Sequence, residues 1–164
     1  MKEYQLLIVE DMLDQVNLLL AWLNESSIQI KCHIASSMKD AIDIMSHVEM
    51  DAILLDLGLL DSEGFDTLRG IRHVAPDTPI VVITGTVNEK ELIHEVDAGN
   101  ITDYVIKPPN EVRLVIAVTV ALLSSIEIKT VETCTRTGTI NYVHKDLQTL
   151  QTLRSLVEPL IEVK

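Results

Sequence analysis

At 164 residues, with 47% hydrophobic and 23% charged positions, the chain can bury a core and suits one domain with an appendage. A net charge of −12 argues against a free-standing nucleic-acid binder, which needs a basic face, and against docking on an anionic membrane. Aromatic residues are only 3%, so the core has to be aliphatic.

In chain order, strand-like and helix-like segments alternate. Residues 5–9 are an apolar run. Residues 12–23 then place Leu13, Val16, Leu19, Leu20 and Leu23 at helical spacing. Residues 29–35 are strand-like. Ser37, with Asp40 three residues later, resembles a capping signal, and the helix it opens carries Ala41, Ile44, Met45 and Val48. The third strand is residues 51–57. A loop with Asp61, Ser62 and Gly64 leads into a helix over 65–74. Pro76 and Pro79 punctuate the approach to a fourth strand at 80–83. Asn88 can cap a helix that reaches Ala98 and stops at Gly99. Tyr104-Val105-Ile106 is the fifth strand, and Asn110 caps a fifth helix running to about Ser125.

Strands this apolar imply burial on both faces, hence an α/β fold with a parallel sheet and helices on each side. The fifth helix, with Val112, Val115, Ile116, Val118 and Val120, can lend a face to a dimer. Residues 1–126 read as one domain and 127–164 as a C-terminal extension whose acidic and basic residues balance. Within the extension, residues 130–139 are Thr-rich and read as a loop or short strand. Residues 146–163 read as an amphipathic helix that Pro159 kinks or ends. This tail is expected to be a docking or dimerisation helix, a linker in a longer chain, or an element packed on the domain.

Cys32 and Cys134 stand at no disulfide-framework or metal-ligand spacing, which favours a reduced, cytoplasmic chain. No signal-peptide core precedes the first strand. The longest apolar stretch, 114–123, is broken by Thr119 and falls short of the roughly 20 residues of a membrane span.

Four apolar runs end in groups that handle phosphate or metal: Glu10-Asp11, Asp56, Thr84 and Lys107. Open α/β sheets place their chemistry at strand ends. Alone, Asp56 reads as a strand-terminal cap, Thr84 as a β-former and Lys107 as a solvated strand end. Together at one sheet edge they mean more. Three carboxylates that converge repel, so a proton or a cation has to compensate. An all-oxygen set selects a hard cation, with Mg²⁺ the best fit. Add an ammonium and a hydroxyl, and the result is a site for a phosphoryl group.

The chain resembles the receiver domain of two-component response regulators over residues 4 to about 126. The matching pieces are Val9-Glu10-Asp11, Leu54-Leu55-Asp56-Leu57, Asp61-Ser62-Glu63-Gly64, Val82-Ile83-Thr84-Gly85, Ala98-Gly99 and Asp103-Tyr104-Val105-Ile106-Lys107-Pro108, in that order. The resemblance implies a flavodoxin-like, doubly wound (βα)5 fold with strand order 2-1-3-4-5. It makes Asp56 the phosphoacceptor. Glu10, Asp11, Asp56 and the backbone carbonyl of Gly58 would hold Mg²⁺. Thr84 and Lys107 would bind the phosphoryl oxygens, and Thr84 and Tyr104 would form the switch. It also implies a cis Lys107-Pro108 bond.

There are departures. Leu60 stands where the family usually has proline, and Pro109 doubles Pro108. Gly58 and Thr86 are small at positions that influence dephosphorylation in the family.

The implied function is a Mg²⁺-dependent phosphorylation switch, not a metabolic enzyme. The implied donor is a sensor histidine kinase or a phosphotransfer protein. A homodimer through helix four, strand five and helix five, or through the C-terminal helix, is expected, with no direct nucleic-acid contact. The alternative is a degenerate receiver acting as a constitutive interaction module, against which the complete site argues. An aspartyl phosphatase of haloacid-dehalogenase type needs an acid two residues after its nucleophile, where this chain has Gly58.

Overall fold

The structure, a computed structural model, describes residues 2–137, with side chains through Ser125. Five β-α units follow one another: β1 (Tyr4–Val9), α1 (Leu13–Asn24), β2 (Ile30–Ala35), α2 (Met38–His47), β3 (Ala52–Asp56), α3 (Phe65–Val74), β4 (Ile80–Thr84), α4 (Glu89–Asp97), β5 (Asp103–Ile106) and α5 (Glu111–Thr137). The strands pair in parallel in the order β2-β1-β3-β4-β5, the doubly wound arrangement expected from the sequence.

The central strands are buried on both faces because alternate residues serve opposite cores. Leu6, Ile8, Ala52, Leu54, Val81 and Ile83 pack with Leu19 and Leu23 of α1 and with Leu114, Ala117, Val118 and Ala121 of α5. Leu7, Val9, Ile53, Leu55, Ile80 and Val82 pack with Ala41 of α2, Leu68 and Ile71 of α3 and Leu92 of α4. So α1 and α5 cover one face, and α2, α3 and α4 the other. Burying each such leucine contributes roughly 1.5–3 kcal/mol.

The expected caps form. Ser37 Oγ accepts from the Asp40 backbone N–H at 3.0 Å, and Asn88 Oδ1 from that of Lys90 at 2.9 Å. Asn110 Oδ1 accepts from Arg113 N–H at 3.1 Å. Gly99 takes φ of +75° just past α4, a left-handed conformation open to glycine at little cost.

Two expectations need correction. The fifth helix does not stop near Ser125 but continues through Thr137, so residues 130–137 are helical rather than loop or strand. Threonine costs only a fraction of ~1 kcal/mol per helical position, and no glycine or proline lies between Glu111 and Thr137. An established helix therefore propagates through the Thr-rich stretch. Val118 is 1% exposed and belongs to the core, so it leaves the proposed dimer face, while Val112 and Val120 remain exposed. The expected helix over 146–163 lies outside the described residues. Among those described, no helix is long and apolar enough to cross a membrane.

Leu54 is fully buried and Leu60 is 94% exposed. Urea denaturation should therefore separate them: Leu54→Ala loses about 2–5 kcal/mol, and Leu60→Ala stays within about 0.5 kcal/mol of wild type.

Candidate functional site

Val9 and Leu55 are register partners on neighbouring strands, so Glu10 and Asp56 emerge side by side at the C-terminal sheet edge. From here the chain leaves β1 for α1 on one face and β3 for α3 on the other. That divergence is the topological switch point, where open α/β sheets form their crevice.

Glu10 and Asp56 are buried, at 1% and 5% exposure, and Asp11 is half-buried. One oxygen from each of the three lies within 4.8 Å of the others. Lys107, just past β5, donates from Nζ to Glu10 Oε2 at 2.8 Å and to Asp56 Oδ2 at 2.7 Å. The second oxygens are also engaged. Glu10 Oε1 accepts from Met12 N–H at 3.0 Å, and Asp56 Oδ1 from Gly58 N–H at 3.0 Å.

Burial, reinforced by the negative charge of Asp56, raises the Glu10 pKa above its ordinary value, against the opposing hydrogen bonds from Lys107 and Met12. Burial would lower the Lys107 pKa, but its hydrogen bonds to Asp56 and Glu10, with their charges, outweigh it and the net direction is upward. With all three carboxylates ionised, the cluster carries three negative charges against one ammonium. A hard divalent cation matches both this excess and the all-oxygen donor set. The carboxylates of Glu10, Asp11 and Asp56 can therefore hold a metal ion.

Thr84 ends β4 and is fully buried. Its Oγ1 lies 3.3 Å from Thr86 Oγ1 and accepts from Thr86 N–H at 3.3 Å. The Lys107 N–H donates to the Thr84 carbonyl at 2.9 Å, which ties the two site segments together. Gly85 lets them close: a Cβ there would stand 3.3 Å from Lys107 Cβ. The Lys107-Pro108 bond is cis.

Residues 6–119 match the family described as response regulator receiver domain. The chain belongs to that family. This receiver is 31% identical over 121 residues to the luminescence regulatory protein LuxO of Vibrio campbellii, covering 74% of this chain and 26% of LuxO. It is 36% identical over 70 residues to the cell cycle transcriptional regulator CtrA of Caulobacter vibrioides, covering 43% of this chain and 30% of CtrA. The receiver thus spans only about a quarter of the length of LuxO. A response regulator receiver domain protein (CheY-like) from Methanospirillum hungatei superposes with a TM-score of 0.65 at 20% identity, covering 77% of this chain and 98% of that one, and shares the fold.

Tyr104, on β5 of the receiver, is half-buried and points its hydroxyl to Glu89 Oε1 at 3.0 Å. Glu89 opens α4, so this bond links β5 to the helix that follows the Thr84 loop. Sequence reasoning missed Glu89, because nothing in the spacing announces a partner fifteen residues away. It also missed the close approach of Gly85 to Lys107, although a glycine directly after a strand-end threonine was a usable signal. In the sequence Asp61 stands in a loop and opens the matching piece Asp61-Ser62-Glu63-Gly64, with no partner indicated. Its carboxylate in fact accepts from Met38 N–H at 3.0 Å and Lys39 N–H at 3.2 Å, the first turn of α2.

The hydrogen bond to Glu89, followed by burial, raises the Tyr104 phenol above its ordinary pKa. The contact therefore contributes stability below the unfolded phenol value near about 10 and loses it as pH rises through the folded value. In an NMR titration of the Tyr104 ring, Glu89→Gln should move the phenol downward toward its ordinary value. An unmoved titration would dismiss the contact.

Proposed function

We propose that this receiver is the phosphoacceptor of a two-component pathway and that Asp56 takes the phosphoryl group. The observation that carries the reading is the buried Asp56 carboxylate, 2.7 Å from the Lys107 ammonium at the switch-point edge. In transfer, the donor's P–N bond to histidine breaks as a P–O bond to Asp56 forms. A small phosphodonor can substitute for the histidine. Lys107 neutralises charge developing on the phosphoryl oxygens, and the Thr84 hydroxyl binds one of them. Glu10, Asp11, Asp56 and the Gly58 carbonyl would hold Mg²⁺, which supplies further charge compensation at those oxygens when bound.

Phosphorylation then competes for the Thr84 hydroxyl now shared with Thr86, and Tyr104 gives up Glu89. The equilibrium shifts toward a second arrangement of α4, β5 and α5. This makes the protein a cytoplasmic signalling module rather than a metabolic enzyme. Its partners are a sensor histidine kinase or phosphotransfer protein and a second copy of the chain, met through α4-β5-α5 or through the helix expected at 146–163. We keep residues 1–126 as the receiver unit and 127–164 as the extension, with α5 running across that boundary. The balanced charge of the extension supports no direct nucleic-acid contact.

Mass spectrometry after incubation with Mg²⁺ and acetyl phosphate should show one added phosphoryl group. Asp56→Asn should abolish it, a chelator should prevent it, and Lys107→Ala should slow it about a hundredfold. Undiminished labelling of Asp56→Asn would end the assignment. In sedimentation at rising concentration, the full chain should self-associate more strongly than a chain ending at residue 126. Monomers throughout would defeat the dimer.

A further inference from the structure

We propose that Asp61 is a positioning residue for the Asp56 site, holding the β3–α3 loop at its outer end by capping α2. The inference rests on the reading of Gly58 as a Mg²⁺ ligand through its carbonyl. That carbonyl belongs to a loop whose inner end is fixed by the Gly58 N–H on Asp56 Oδ1 at 3.0 Å. Farther along, Gly58 and Glu63 form an isolated antiparallel bridge. Leu59 N–H donates to the Ser62 carbonyl at 3.1 Å, and Gly64 N–H to that of Leu57 at 2.7 Å. These bonds close the loop on itself, Leu59 is buried in the core and Thr67 Oγ1 of α3 donates to Ser62 Oγ at 2.7 Å, but none of these hydrogen bonds reaches α2. Leu60 at the tip is 94% exposed and adds little packing. Without a proline there, φ is not restrained by the chain itself.

The hydrogen-bonded tether to α2 is Asp61. Its two carboxylate oxygens accept from Met38 and Lys39 N–H at 3.0 and 3.2 Å, two of the donors a helix leaves unsatisfied at its start. The anchor is itself rigid. α2 has its own cap in Ser37, and Met38 packs into the core where Gly70 of α3 leaves space for it. Loop and helix are therefore joined by hydrogen bonds only five residues beyond Asp56. Losing them lets the loop sample conformations in which the Gly58 carbonyl leaves the site.

The test is a Mg²⁺ titration of the full-length chain followed by amide NMR. Asp61→Ala should weaken Mg²⁺ binding about fivefold, the equivalent of one lost cap. Amide exchange at Leu59 and Gly64 should quicken in the same variant without metal. Asp61→Asn keeps one of the two accepting oxygens, and should weaken Mg²⁺ binding less than Asp61→Ala does. Ser37→Ala removes the other cap of α2 without touching the loop, and should also leave Mg²⁺ affinity within about twofold. Unchanged affinity in Asp61→Ala overturns the inference. So does equal weakening in Ser37→Ala, which would mean helix stability alone. A wild-type chain with no Mg²⁺ response at the site overturns the reading of Gly58 and this inference with it.

Discussion

Lys107 sits between two buried carboxylates, and the arrangement of the sheet edge follows from that contact. Glu10 and Asp56 come from adjacent strands and would repel each other in a low-dielectric setting. Removing a partner from such a cluster leaves an uncompensated buried charge, which costs more than the pair contributes. The ammonium reaches them past the end of β4, where Gly85 leaves room for its side chain. Strand order and the position of Lys107 just past β5 bring one nitrogen to both acids.

Around this centre the structure divides into an aliphatic frame and a polar edge. The frame is aliphatic and two-sided, with central-strand leucines, valines and isoleucines almost wholly excluded from water. Interiors this closely packed do not deform continuously. At the edge the Thr84 hydroxyl bonds to the hydroxyl and N–H of Thr86, and the Tyr104 hydroxyl to Glu89. Such contacts contribute little net free energy each, so under the proposed function a new charge at Asp56 would displace them without disturbing the core. The division suits the proposed switch, which would change the surface and keep the fold.

Much of the fold was legible because each strand is an apolar run and three of the five helix starts carry a short polar side chain able to cap them. Ser37, Asn88, Asn110 and Gly99 act where the sequence placed them. The end of α5 was not legible. Threonine is a weak negative in a helix, and the helix continues through it because propagation is cooperative. Val118 was read onto the wrong face because α5 is apolar nearly all round, and periodicity cannot then choose a side. The site acids and Lys107 were legible as strand-end residues. Asp61 and Glu89 were not, since their partners are backbone or side-chain groups brought near only by the packing of α2 beside the β3–α3 loop and of α4 beside β5.

By itself, the sequence determined the alternation of elements, the parallel sheet and the identity of the polar groups at the strand ends. These are local properties: hydrophobic period, capping chemistry and the position of a residue in its run. Only the tertiary structure decided which of those groups meet. Distances such as Lys107 to Asp56 depend on the lateral order and register of the strands, and those are set by long-range burial rather than by any short stretch of chain.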